Sequence, residues 1–264
     1  MNIRYCDIKA ELSPYIKMIC IMTCDAHHDV LPFRVLPDTC VELFVSCDQK
    51  PIAQVSGPSG VSELHSFVSF RMRSYMDVEM KEKARCIAVC FKPGAAYRFF
   101  PMPMSEMADH ALETDLLWHQ LAREMEDKVA HAKEDRNKLD TIQDFLFQLL
   151  SLQYGLKQSI AHSMEMADVM KGLAAVKELA EVSHISERQL NRRFKDGLGM
   201  SPKEYLAMTR FMHALSNIKK HPQLSLTELA FESAYFDQSH FIHSCRLYSG
   251  LSPGELRSRK NIVF

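Results

Sequence analysis

Hydrophobic and polar positions along this chain change their rhythm twice. Over about the first 100 residues the spacing is that of strands. Arg34 to Cys47 contains a turn signal at Pro37-Asp38, then a β-branched and aromatic run through Val41, Leu43, Phe44 and Val45. Gly57-Pro58-Ser59-Gly60 reads as a loop. From Phe67 to Met80 apolar and polar residues alternate loosely. Phe67, Ser69, Arg71, Arg73 and Tyr75 fall on one side of the pleat, with Val68, Phe70, Met72, Met76, Val78 and Met80 mostly on the other. Cys86 to Phe91 is a short apolar strand stopped by Pro93-Gly94. Several short strands with turns between them predict an antiparallel sandwich or barrel.

From about residue 104 the period becomes helical. Leu117, Leu121, Met125 and Val129 recur at helical spacing, as do Leu139, Ile142, Leu146, Leu149 and Leu150. Both stretches carry dense charge on their other faces. They either pack on the sheet or form a dimer interface, and a single stripe does not choose between the two. The Gly155 neighbourhood reads as a linker, and Gln158 to Met164 as the start of the next helical module.

The last third of the chain is written twice. Glu178-Leu179-Ala180, Leu190, Phe194, Lys195 and Gly199-Met200-Ser201-Pro202 are matched by Glu228-Leu229-Ala230, Phe241, Cys245, Arg246 and Gly250-Leu251-Ser252-Pro253. The offset grows from 50 to 51 because the second copy has one extra residue in its turn. Two copies are too few for a stacked repeat array, so a duplicated helix-turn-helix is the better reading. Helix starts are explicit. Ser186-Glu187-Arg188-Gln189 and Ser225-Leu226-Thr227-Glu228 fit capping boxes, while Ser201-Pro202-Lys203-Glu204 and Ser252-Pro253-Gly254-Glu255 add proline at the first helical position. Gly199 and Gly250 sit where the preceding helices must end.

These signals predict helices from about 173 to 182, Glu187 to Gly197, Pro202 to about Lys220, Leu226 to Ser233, Gln238 to Tyr248, and a short one from Pro253. Leu190 and Phe194 anchor one recognition helix to its core, as Phe241 and Cys245 anchor the other. Ser186 heads the first. The faces opposite the anchors carry Arg188, Gln189, Asn191, Arg192 and Lys195 in one copy and Gln238, Ser239, Ile242, His243 and Arg246 in the other. Arg and Asn make bidentate contacts to guanine and adenine edges in the major groove. The helix between the copies, about 18 residues and roughly 27 Å long, could set two readers about one duplex turn apart.

Composition changes this picture little. At 264 residues, 47% hydrophobic and 25% charged, the chain is an ordinary globular one with room for two domains. Charge refines it. Residues 172–264 carry 13 Lys/Arg against 9 Asp/Glu, a net of +4, whereas residues 1–171 carry 19 against 24, a net of -5. Only the basic part is expected to meet phosphate. No apolar window is long enough for a membrane span and the start lacks a signal-peptide core, so a cytoplasmic protein without membrane partners is expected. Eight irregularly spaced cysteines are then expected to be mostly reduced packing residues.

Residues from about 172 to 258 closely resemble the C-terminal domain of AraC/XylS-type transcription regulators. The resemblance is carried by Ile185 to Lys195, Gly199 to Pro202, Asp237 to Phe241 and Gly250 to Pro253. It implies base-facing positions at Arg188, Asn191 and Arg192 in the first recognition helix and at Gln238, Ser239, Ile242 and His243 in the second. Arg193, Lys195 and Arg246 are expected on phosphate or flanking contacts. The second copy departs from the family, with Ala234 where Gly is usual, Cys245 where Phe is usual, and His243 where Arg is frequent. A smaller anchor and a weaker cation suggest that this helix contributes less. Arg34 to Leu43 and Phe91 to Ala95 bear a shorter resemblance to an N-terminal, cupin-like class joined to this module.

The expected fold is therefore α+β in two domains: a β-rich barrel or sandwich with connecting helices over 1–155, and an all-α double helix-turn-helix over 156–264. The expected partners are a double-stranded DNA operator, a small-molecule effector, a second copy of the chain and, for an activator, RNA polymerase. No cofactor or enzymatic activity is expected, since no phosphate-cradling Gly loop is present and His27, His28 and His65 do not form an iron triad. Cys20, Cys24, Asp25, His27 and His28 offer thiol, carboxylate and imidazole for zinc or copper(I), giving an alternative thiol- or metal-responsive sensor. About 13 Å of extended strand between Cys20 and Cys24 argues against one metal. Another alternative is an N-terminal domain used only for protein contacts. Met102, Met104 and Met107 are candidates for lining an apolar ligand cavity.

Overall fold

Alternation of side chains along the N-terminal strands produces two facing sheets. The structure is a computed structural model and describes residues 2–24, 33–57, 60–152, 160–259 and 262–263. The strands are β1 (Asn2–Cys6), β2 (Ile16–Thr23), β3 (Phe33–Val35), β4 (Glu42–Ser46), β5 (Ala53–Gly57), β6 (Gly60–Leu64), β7 (Phe67–Ser69), β8 (Met76–Met80), β9 (Arg85–Phe91), β10 (Ala111–Glu113) and β11 (Ile262–Val263). One sheet has the order β1-β2-β9-β4-β7-β10 and the other β11-β3-β8-β5-β6. Neighbours are antiparallel except β11, which runs parallel to β3 with Ile262 opposite Arg34. β9 reads as an unbroken apolar run because both its faces are covered.

The expected pleat from Phe67 to Met80 is broken. β7 and β8 belong to different sheets, and residues 70–75 carry the chain between them. Phe70 N donates to His110 O (3.1 Å) and Asp109 N to Arg71 O (2.8 Å), so the pairing with the chain before β10 runs on as far as Arg71, which ends up 4% exposed instead of on a polar face.

A short 3-10 turn (Ala96–Phe99) and helices α1 (Met104–Met107), α2 (Thr114–Trp118), α3 (Gln120–His131) and α4 (Asp135–Ser151) follow. The single helix expected through Leu117 and Val129 is two, because His119 takes φ +47° between α2 and α3. Met125, Val129, Ile142, Leu146 and Leu149 pack with Ile19, Leu43 and Val89 on the outer face of the six-stranded sheet. The apolar stripe is used within the chain. Met104 and Met107 are buried in the same core and Met102 is exposed, so these methionines do not surround a cavity.

The C-terminal helices are α5 (Ala161–Val169), α6 (Val176–Val182), α7 (Glu187–Leu198), α8 (Pro202–Lys220), α9 (Leu226–Glu232), α10 (Gln238–Ser249) and α11 (Pro253–Ser258). The linker expected near Gly155 lies outside the described residues. All four serine capping boxes form, and Asp237 caps α10 by accepting from His240 N at 2.7 Å. Leu179, Leu190, Phe194 and Leu206 form the first copy's core, and Leu229, Phe241, Cys245 and Leu256 the second's. Tyr248, which stands where the first copy has Gly197, packs in the same core as Cys245, its ring tilted against Phe211 at 4.8 Å.

α6 and α9 both end in a residue with left-handed backbone, His184 (φ +52°) and Ala234 (φ +61°). In each turn the next residue's N–H reaches back five residues, Ile185 to Ala180 O and Tyr235 to Ala230 O. A non-glycine residue there costs about 1–2 kcal/mol, only part of which is recovered through the stiffer unfolded chain. Ala234→Gly should therefore stabilise the chain by roughly 0.5–1 kcal/mol. Thermal and urea melts check this.

Candidate nucleic-acid interface

α7 and α10 are amphipathic helices with matching faces. Leu190, Phe194 and Leu198 are buried on α7, as are Phe241, Cys245 and Ser249 on α10. On the other side Arg188, Gln189, Arg192 and Lys195 are exposed, and so are Gln238, Ser239, His243 and Arg246. Asn191, Arg193 and Ile242 are half-buried at the edges of these faces. Ser186 and Gln189 are occupied with each other. The Ser186 hydroxyl accepts from Gln189 N at 3.3 Å, and Gln189 Oε1 accepts from Ser186 N at 3.0 Å. Gln238 Oε1 likewise accepts from Thr227 Oγ1 at 2.9 Å, which ties the head of α10 to α9.

Both helices end against the first domain. Each closes on a glycine in the left-handed region, Gly199 (φ +73°) and Gly250 (φ +69°). A Cβ on Gly199 would lie 2.8 Å from Met104 O, and one on Gly250 would collide with the Tyr75 ring. Around Gly250 the contact is polar. Arg34 donates through Nε and Nη2 to both Asp77 carboxylate oxygens, each at 2.8 Å, and through Nη1 to Ser249 O at 3.1 Å. Its guanidinium carbon also lies 3.7 Å from the centre of the Tyr75 ring. Leu36, two residues on, is buried in the second copy's core beside Phe211 and Leu251. Arg34, Leu36 and Tyr75 were not among the residues expected to matter. The signal for Arg34 and Leu36 was the Arg34 to Leu43 segment, whose residues have no partner visible in local pattern; Tyr75 carried no such signal.

A cavity of about 230 Å³ lies between the two sheets. Met18, Phe44, Phe67, Met76 and Met80 line it together with the charged residues Asp38, Glu42 and Arg71. Burial, reinforced by the charge of Asp38 and opposed by Lys17, pushes Glu42 up to about 7, and burial pushes Asp38 up as well. A carboxyl raised on folding stabilises the chain most below its unfolded pKa, and that contribution is lost as pH rises through the folded value. Stability should therefore fall between about pH 4.5 and 7, by on the order of 2–3 kcal/mol from Glu42. Glu42→Gln should remove that slope in chemical melts across this range.

The other candidate chemistry does not assemble. Cys20 and Cys24 are buried, and burial pushes the Cys20 thiol up to about 11, which disfavours the reactive thiolate. Asp25, His27 and His28 lie outside the described residues. His65 is exposed, with Nδ1 3.4 Å from Glu113 Oε1. All eight cysteines are free, and no group of three or more metal-ligating side chains occurs among the described residues. No helix of the described residues is long and apolar enough to cross a membrane.

The two joints should couple stability to the pairing of domains. In Gly250→Ala the left-handed backbone and the collision with Tyr75 act together, so a loss of about 2 kcal/mol or more is expected. Adding Tyr75→Ala should return the part due to collision. A double-mutant cycle in urea reads this directly: additive losses would show that the ring and the glycine do not interact.

Residues 179–259 match the family described as Helix-turn-helix domain, and residues 9–113 match a Domain of unknown function (DUF6597). The chain is 30% identical over 86 residues to the HTH-type transcriptional activator RhaS of Klebsiella pneumoniae, a match covering 33% of this chain and 31% of that protein. It thus spans about a third of the length of the curated relatives it matches. Among solved structures, an AraC-type DNA-binding domain from Chromobacterium violaceum is 21% identical, covering 38% of this chain and 88% of that one, with a TM-score of 0.36. ToxT from Vibrio cholerae is 12% identical, covering 90% of this chain and 97% of that one, with a TM-score of 0.44.

Proposed function

We propose that this chain is a sequence-specific DNA-binding transcription regulator of the AraC/XylS type that sets two recognition helices into successive major grooves, a reading supported by the helix-turn-helix match over residues 179–259. The observation that carries this reading is the pair of capped helices, α7 and α10, whose outer faces are polar and exposed while their C-terminal ends are held. Helix-turn-helix readers present the N-terminal residues of the recognition helix to base edges, the end left open here.

Arg188, Asn191 and Arg192 read bases from α7, and Gln238, Ser239, Ile242 and His243 read them from α10. Arg193, Lys195 and Arg246 meet phosphates or flanking groups, and Ser186 and Gln189 present the head of α7 to the backbone. The 19-residue α8 between the units is about 28 Å long, close to one helical repeat of DNA. The two-sheet unit, with its cupin-like segments, is the regulatory half of a protein divided at about 155/156. A small effector or a second copy of the chain acting there shifts the DNA-reading half, and RNA polymerase is the further partner if the chain activates. The chain works in the cytoplasm and without catalysis.

Selection of duplexes from a random pool, followed by fluorescence anisotropy on the winning operator, tests this. Arg192→Ala should cost about 1–3 kcal/mol on that operator and relax one base position. Lys195→Ala should weaken all duplexes alike and lower the salt slope by about 1. His243→Ala should cost less than Arg192→Ala. A chain that enriches no sequence and binds no duplex at low salt would end the reading.

A further inference from the structure

We propose that Phe236, in the turn before α10, reads a thymine of the operator by packing its ring on the 5-methyl group in the major groove. This rests on the regulator reading and adds to it a base-reading residue of a different chemistry from the Arg, Asn and Gln already assigned.

Phe236 has no counterpart in the first copy. The left-handed residue of each turn leads to the helix cap by a different path, His184 to Ser186 in one copy and Ala234 to Asp237 in the other. Ile185 and Tyr235 correspond, since each sends its N–H back to an alanine five residues earlier and packs on its own copy's core. The extra residue of the second turn is therefore Phe236. It is 86% exposed, and among the described residues no aromatic ring or cation packs on it. Tyr235 beside it is buried against Phe241 at 5.3 Å. A single exposed ring means little by itself, so its place decides.

That place is the head of α10, a helix length of about 18 Å from the Gly250 joint. Helix-turn-helix proteins bring this end to base edges. Gln238 and Ser239 are exposed there. The surrounding charge argues against the phosphate backbone as the target of this head. Residues 221–245 contain no Lys or Arg, and Glu228, Glu232 and Asp237 are acidic. The first copy instead sets Arg188, Arg192, Arg193 and Lys195 along its recognition helix. What the second head offers a duplex is a ring, an amide and a hydroxyl.

Those groups select the base. Of the four bases only thymine presents a methyl group in the major groove, next to its O4 acceptor, and apolar side chains including Phe read that methyl by contact. Gln238 complements the ring. Its Oε1 already accepts from Thr227 Oγ1 at 2.9 Å, which leaves its amide N–H groups to donate to a base acceptor such as O4. Phe236 and Gln238 are two residues apart, so their Cα atoms lie within about 7 Å, a span of about two base pairs. Wedging a ring between base steps is a minor-groove device and does not suit a helix laid in the major groove. Covering the ring also takes apolar surface out of water, which favours the bound state.

The test uses the full chain and the selected operator, read by fluorescence anisotropy. Replacing each thymine in turn by deoxyuridine removes one methyl group and leaves every hydrogen-bonding group in place. At one thymine this should weaken binding about fourfold, the worth of one buried methyl-sized group. Phe236→Ala, verified as folded by its own melt, should weaken binding to the thymine duplex by at least as much. It should then bind the thymine and uracil duplexes equally. Phe236→Leu should keep part of the discrimination, and Phe231→Ala, which removes the exposed ring of α9, should keep all of it. No thymine whose methyl counts, or the same thymine-to-uracil ratio in Phe236→Ala as in the parent, would overturn the proposal. So would undiminished operator binding by Phe236→Ala, which would assign the ring to a protein partner instead. Operator binding that ignores the methyl sinks only this proposal, whereas a chain that binds no duplex sinks the regulator reading and this one with it.

Discussion

The arrangement of the two amphipathic helices α7 and α10 depends on how they are held at their C-terminal ends. Gly199 and Gly250 each turn left-handed at the end of a recognition helix, and each brings backbone so close to the first domain that no side chain fits between. Left-handed glycine closes the helix and also permits the approach. With those ends fixed, the heads of α7 and α10 remain in solvent, and the geometry between the two helices is set partly by the first domain. A helix-turn-helix pair joined only by α8 would have to maintain that geometry through one helix.

The second joint is the richer of the two. Arg34 makes a bidentate pair with Asp77, lies over Tyr75 and still reaches Ser249 O. An Arg fork used three ways is far more directional than a surface ion pair, and its Asp77 partner raises its pKa further against the burial that would lower it. β11 adds a parallel strand to β3 at the same place. The strand carrying Arg34 thus belongs at once to a sheet, a cavity wall and the boundary of α10. Residues 34–38 have contacts on both sides of this boundary, and so does Arg71, which lines the same cavity and lies within the electrostatic reach of Glu204.

Much of this was legible in the chain itself. The four serine capping boxes, the proline-headed helices, the bounds of α8, and the buried pairs Leu190/Phe194 and Phe241/Cys245 all follow from local rules, because capping and helical period act within four residues. The apolar stripes of α3 and α4 were equally plain, although only packing showed that they face the sheet. Reading failed where the period is local but the destination is not. The alternation from Phe67 to Met80 looked like one strand, yet the chain crosses between sheets at residues 70–75 and buries Arg71 on the way. The methionines near Pro101 and Pro103 looked like cavity lining; instead Met104 and Met107 fill a core and Met102 is exposed.

Sequence by itself determined the helices of the duplicated module, their caps, and which faces carry Arg, Asn and Gln, since each of those choices is made by residues a turn apart. Tertiary structure alone decided that Glu42 and Asp38 share an enclosed space, that Leu36 crosses into another domain's core, and that Tyr75 closes on Gly250. Those contacts join residues separated by many positions, and their existence depends on the folding of both sheets and both helical units. No local periodicity encodes them, because a side chain's pattern specifies which face it occupies and not what that face will meet.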